Sequence, residues 1–301
     1  MENFLARWRR ELRGTFSANS PTVPQWELDL EKGDDGGYFT PESAAWAVHG
    51  SMTTLVAGIQ SLLLQALHPG AMAGVFDHSG YKSDPLSRLA GTIRWIFTVT
   101  YGDTAAAQAA SNKVLRIHAH ITGRYTANTG EELEYSANDP HLLRWVHLAF
   151  TEAFLASHLA LGGGIPGGAD AYVADWAVAG HLMGVPDPPL TVAELRRQLA
   201  GFNPELRCDQ RVAETVQFLR RPPLPRSQQR GYRILFAAAV STLDPHYRAL
   251  LGLDVPGLGP VPLPVRRAAR VVLGVVHRGL GKTGPSERAA RARRRRLGLG
   301  G

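Results

Sequence analysis

The chain has 301 residues, 44% hydrophobic and 20% charged, which is ordinary for a globular protein large enough to bury a sizeable core. Its one cysteine, Cys208, excludes an internal disulfide framework and suits a reducing compartment. The net charge of +7 divides unevenly: residues 264–301 carry +10 and the remainder −3, which argues against a nucleic-acid-binding face on the main domain.

The N-terminal segment "MENFLARWRRELRG" has no apolar core before a cleavage site and reads as a short amphipathic helix. Thr40-Pro41, Asp84-Pro85 and Asp139-Pro140 each place an N-cap oxygen before a proline at the first helical position. The most apolar window, about residues 52–67, is interrupted by Thr53, Thr54, Gln60, Ser61 and Gln65, so it reads as a buried core helix rather than a membrane span. It stops at His68-Pro69-Gly70 and resumes with small residues before Asp77, His78 and Ser79. That break is either ordinary capping or the edge of a pocket.

On "DPLSRLAGTIRWIFTVTYG", Arg88 and Thr92 are four apart and share a face with Trp95 and Val99, opposite Leu86, Leu89, Ile93 and Phe97. That face is either a solvated flank or a covered side, where Arg88 would need an anionic partner. Asp103 opens the next segment, expected to run helically to a left-handed cap at Gly123. Its apolar stripe is Ala107, Ala110, Val114, Ile117 and Ile121, with His118 inside and His120 off it. On "PHLLRWVHLAFTEAFL", Leu143, Val146, Phe150 and Phe154 form the stripe, His147 sits in it and His141 points out. Two successive helices thus each aim one histidine at the core. Satisfied core histidines and metal or haem ligands remain equally open readings. The signatures of structural zinc, zinc proteases and di-iron carboxylate sites are missing.

Thr191 and Glu194 form a capping box, and proline- and glycine-rich connectors fall at 162–168, 221–226 and 254–264. Residues 265–280 sort into a basic face (Arg266, Arg267, Arg270, His277, Arg278) and an apolar one, suiting either packing on the core or an anionic membrane surface. The run "RAARARRRR" at 288–296 reads as disordered. Strand-like alternation is scarce, so the expected fold is all-α, a single mostly helical domain. Its organisation is 1–40 N-terminal helix and leader, 41–252 core, 253–286 amphipathic helix and 287–301 basic tail.

The segments "WAVHGSMTTLVAGIQSLLLQALHPGAMAGVFDHSGYKSDPLSRLAGT", "YGD", "VLRIHAHITG", "YSANDPHLLRWVHLAF" and "LDPHYRALLGL" resemble, in order and spacing, the MpaB-type oxygenases that include the rubber oxygenases, or latex-clearing proteins. The resemblance implies a globin-like helical core binding one haem b (iron) for chemistry with dioxygen on a hydrophobic small molecule. It places His118 at the axial-ligand position and Arg88 and Thr92 on the distal side. His68 and His147 are expected as further cofactor-pocket residues. The rubber-cleaving members carry a lysine just before that threonine; here the position is Gly91, so a lysine-capped iron is unavailable and the resemblance does not carry the isoprenoid-polymer substrate over. Two other classes stay open: a non-catalytic haem-binding or gas-sensing protein, and a cofactor-free membrane-surface interaction protein. The location expected is cytoplasmic, with peripheral membrane contact through the basic C-terminal tail and no specific nucleic-acid binding.

Overall fold

The computed structural model describes residues 23–78, 85–258, 261–281 and 283–300. The expected N-terminal amphipathic helix, Ser79 and Asp84 lie outside them. Two-thirds of the described residues are helical. In chain order the helices are α1 (Gln25–Asp29), α2 (Ala44–His49), α3 (Thr54–Gln65), α4 (Pro69–His78), α5 (Pro85–Tyr101) and α6 (Thr104–His118). A hairpin of β1 (Thr122–Thr126) and β2 (Glu132–Ser136) follows, then α7 (Pro140–Leu161), α8 (Gly168–Leu182) and α9 (Val192–Gly201). After a 3-10 turn (Asn203–Glu205) come α10 (Gln210–Arg220), α11 (Arg226–Thr242) and α12 (Pro245–Leu250). The two-residue strands β3 (Gly257–Leu258) and β4 (Val261–Pro262) lead into α13 (Val265–Leu280) and α14 (Pro285–Arg296).

Helices α3 and α7 pack together at the centre of the molecule. The polar residues that interrupt α3 are satisfied inside: the Gln60 side-chain oxygen accepts from Ser157 (2.9 Å) and Thr242 (2.7 Å), joining α3, α7 and α11. A buried amide with both partners in place costs little and fixes helix register. No single helix among the described residues is long and apolar enough to cross a membrane; α3 and α4 reach that length only together, bent by 108°.

Several helix starts form as expected. Asp103 accepts from the Ala106 amide and Asp139 from that of His141. Thr191 accepts from the Glu194 amide, and the Glu194 carboxylate reaches back to Leu190 N. Ser43, not Thr40, caps α2. The expected helix through Gly123 stops at His118, because residues 122–126 instead pair antiparallel with 132–136. Gly123 is no left-handed cap: it stands opposite Tyr135, whose ring would lie 2.8 Å from any Cβ placed there.

The arginine run expected to be disordered is helix α14, and two of its charges, Arg293 and Arg294, are turned inward. Arg293 is fully buried, donating to Leu30 O (2.6 Å) and to Tyr101 O (2.8 Å) at the C-terminus of α5. Arg294 bonds Gly36 O, and Arg296 bonds Glu31 O and Gly33 O. Guanidinium groups replace water on carbonyls that would otherwise be orphaned, and the like charges are offset by the helix end and by Asp35 and Asp103 nearby.

Candidate functional site

Helix α6 carries His118 at its last turn. Its buried stripe is rotated by about 60° from the expected one: Ala107 and Ser111 are buried, whereas Ile117 is 53% exposed. Ser111 faces inward because its hydroxyl accepts from the Trp95 indole of α5 at 3.1 Å. Val114 and Leu115 join Leu143 of α7, Met183, Val185 and Trp95 in a small apolar cluster, and His118 lies one turn beyond. His118 is half-buried, while His120 is exposed.

The His118 Nδ1 is buried and lacks a hydrogen-bond partner among the described residues. Burial lowers its pKa; the Ala137 backbone opposes this, and the positive charge of Arg88 lowers it further. The ring is therefore neutral at pH 7, the form that ligates a metal. The Arg88 effect also means that the fold brings these two expected residues within electrostatic reach of each other. Thr92 is exposed, and its hydroxyl donates to Arg88 O at 3.2 Å. Gly91 between them is exposed, with open space where a side chain would stand.

His147 is buried on α7, and its pKa is pushed down to about 4 by burial and by the charge of His181. Its Nε2 has no hydrogen-bond partner among the described residues. That ring edge packs on Gly180, where an added Cβ would stand 3.2 Å from Nε2, so the free nitrogen faces backbone rather than an open volume. His118, by contrast, is partly exposed as a residue, although its Nδ1 is buried, and is the one of the two that could hold a haem iron.

His68 belongs to a different cluster. Its Nδ1 accepts from the Gly70 amide (3.1 Å) and the Ala71 amide (3.4 Å), capping α4. With Nδ1 accepting, the proton sits on Nε2, which donates to Glu205 Oε2 at 3.1 Å. The His141 ring bonds the same carboxylate at 2.8 Å and stacks on Phe202. The expectation that His141 points out is thus half met: it is half-exposed but engaged. His68, His141 and Glu205 offer ligand atoms within 4.8 Å of one another, a two-histidine, one-carboxylate set. A cation on His68 Nε2 would move the ring proton to Nδ1, against two N–H groups, so this geometry is a hydrogen-bonded clamp. Asp77 and His78 also hold structure: Asp77 pairs with Arg211 at 3.5 Å, and His78 donates to Thr122 O at 3.1 Å.

His49 escapes the sequence reasoning above. It is buried among Phe150, Phe154, Tyr172 and Trp176, the Trp176 ring lying edge-on at 4.3 Å. Thr100 Oγ1 donates to Ile96 O and therefore accepts from His49 Nδ1 (2.8 Å), leaving Nε2 to accept from the Tyr172 hydroxyl (3.2 Å). Burial pushes its pKa down to about 3. Helical phase along "AAWAVHG" could have placed it inward; its partners, 51 and 123 residues away, could not have been read.

The domain family described as ER-bound oxygenase mpaB/B'/Rubber oxygenase, catalytic domain, matches residues 46–276. No curated protein and no solved structure matches the chain.

Proposed function

The chain belongs to this family of oxygenase catalytic domains, and on that premise we propose that it is a haem b-dependent oxygenase acting with dioxygen on a hydrophobic small molecule. The observation that carries this reading is His118: a neutral, half-buried ring whose buried Nδ1 makes no hydrogen bond of normal geometry among the described residues, with only the Ala137 backbone close enough to act on it, beside the charge of Arg88. Haem, when bound, supplies an iron centre able to activate dioxygen. A globin-like arrangement around it is part of the same proposal.

His118 would hold the haem iron through a lone pair that burial keeps free of a proton at neutral pH. The positive charge of Arg88, which acts on the His118 ring, would favour a propionate, a carboxylate-bearing substrate or a developing negative charge nearby. Thr92 ties its hydroxyl to the Arg88 carbonyl, steadying the first turns of α5, and can turn that hydroxyl outward as a donor. Residue 91, being glycine, supplies no amine that would compete as a ligand.

The test is an absorption spectrum of the purified protein after haem supplementation. A Soret band is expected, and it should be lost or shifted in His118→Ala. His147→Leu should keep it, because the free nitrogen of that ring faces backbone. Absence of the band in the parent protein, or an unchanged band in His118→Ala, overturns the assignment. Reductant-driven oxygen consumption that falls at least tenfold in Arg88→Ala, with haem retained, separates an oxygenase from a gas sensor.

A further inference from the structure

Helices α11 and α13 pack side by side, with Val272 of α13 against Gly231 of α11. Between them they present seven exposed arginines: Arg226, Arg230 and Arg233 on α11, and Arg266, Arg267, Arg270 and Arg278 on α13. Neither helix contains an acidic residue. On α14, the other basic segment, Arg293 and Arg294 are buried against internal carbonyls and Arg291 is paired with Glu287, which leaves Arg288, Arg295 and Arg296 exposed.

Apolar groups stand among these charges. Val271 is 68% exposed and Val275 46% on the outer side of α13; Leu159, Val261 and Leu263 are also exposed beside its N-terminal half. Leu159, Leu263, Arg266, Arg267 and Arg270 line one groove of about 560 Å³. Two of its arginines are held in place, Arg270 by Ala160 O (2.7 Å) and Arg266 by Ser241 O (3.3 Å), so the charge at its rim is fixed.

We propose that the α11–α13 face docks on an anionic phospholipid bilayer, with headgroup phosphates at Arg266, Arg267 and Arg270 and the exposed valines and leucines entering the acyl boundary. The mixture selects this occupant. A second copy of the face would bring seven positive charges against seven. A nucleic acid would satisfy the arginines and leave Val271, Val275 and Leu263 in water. A lipid interface takes both: aliphatic side chains partition into it, and each basic residue gains from the anionic headgroups. The inference is independent of haem and turnover.

Full-length protein is co-sedimented with phosphatidylcholine vesicles and with vesicles containing about 30% phosphatidylglycerol, at low and high salt. Binding is expected only to the anionic vesicles, falling with salt. At about fivefold per arginine, Arg267→Gln combined with Arg278→Gln should weaken it by about twenty-fivefold. Val271→Ser with Val275→Ser, which leaves every charge in place, should weaken it as well. All four positions are exposed, and unchanged melting of the variants checks that the fold is intact. Arg116→Gln, on the exposed side of α6, is the charge control. Failure to bind anionic vesicles overturns the proposal. So does an effect of Arg116→Gln equal to that of the α13 arginine pair, or unchanged binding in the valine pair.

Discussion

His68 uses one ring nitrogen to cap α4 and the other to hold Glu205, so the chain can turn sharply at Pro69 without leaving the first amides of α4 unpaired. Glycine follows because Tyr125 of β1 lies against the turn: a Cβ on residue 70 would stand 3.0 Å from that ring. Replacing His68 with alanine removes a helix cap, worth about 1 kcal/mol, and strips a buried donor from a carboxylate, worth about 1.5–3 kcal/mol. His68→Ala should therefore lower stability by about 2–4 kcal/mol in urea unfolding, whereas His141→Ala, at a half-exposed position, should cost under about 1 kcal/mol. Equal losses in the two variants would show that the clamp is not organised around the buried ring. The break itself was legible in His68-Pro69-Gly70. Its purpose was not, because Glu205 lies 137 residues away and no local pattern points to it. The same limit applies to His118: the α6 stripe read from the sequence is rotated from the buried one, and the reach of the Arg88 charge appears only once α5 folds back along α6.

At the scale of elements, the starts were legible and some ends were not. A cap is local: Asp139 bonds an amide two residues on, and Asp103 and Thr191 bond amides three residues on. Asp139→Ala should accordingly cost about 1 kcal/mol. Gly91 has ordinary negative φ and open surroundings. Gly91→Ala should therefore stabilise α5 by about 0.4–1 kcal/mol by restricting the unfolded chain. A thermal melt that moves down rather than up would show that a neighbour approaches Gly91 more closely than the structure places it. The end of α6 was misjudged for a physical reason: Gly123 suits a helix cap, but it also suits a strand opposite a large ring, and only the presence of Tyr135 decides. Helix α14 shows the opposite failure. Clustered arginines repel one another in an isolated segment, yet Arg293 and Arg296 find carbonyl oxygens in residues 30–33 and at Tyr101. Carbonyls are common to every residue, so the sequence of the acceptor segment carries no sign of its role.

For the whole molecule, the buried histidines tie stability to pH. His49, His68, His118, His147 and His158 all have lowered pKa values, with burial the largest cause in each. His49 and His147 are the extremes, near 3 and 4. Below the unfolded-state value of 6.5 the unfolded chain takes up protons that these two folded rings refuse. Their neutral packing is therefore no penalty above pH 6.5, and stability is lost as pH falls from 6.5 toward 4. Each such ring contributes about 1.4 kcal/mol per pH unit in that window, so the pair gives a slope of about 3 kcal/mol per unit between pH 6 and 4.5. Glu27 and Glu152 act in the other direction: burial raises their pKa values, so the folded state protonates first and recovers some stability on acidification. The histidines prevail at the upper end of the window, where the unfolded rings titrate before the carboxylates do. Chemical denaturation between pH 7.5 and 5 should show stability level above pH 7 and falling below 6.5. His147→Leu removes a ring whose Nε2 has no hydrogen bond to lose among the described residues, and should flatten the fall by about 1.4 kcal/mol per unit. A pH profile identical in parent and variant would mean that His147 protonates as readily folded as unfolded, and that the packing of its ring against Gly180 is not maintained in solution.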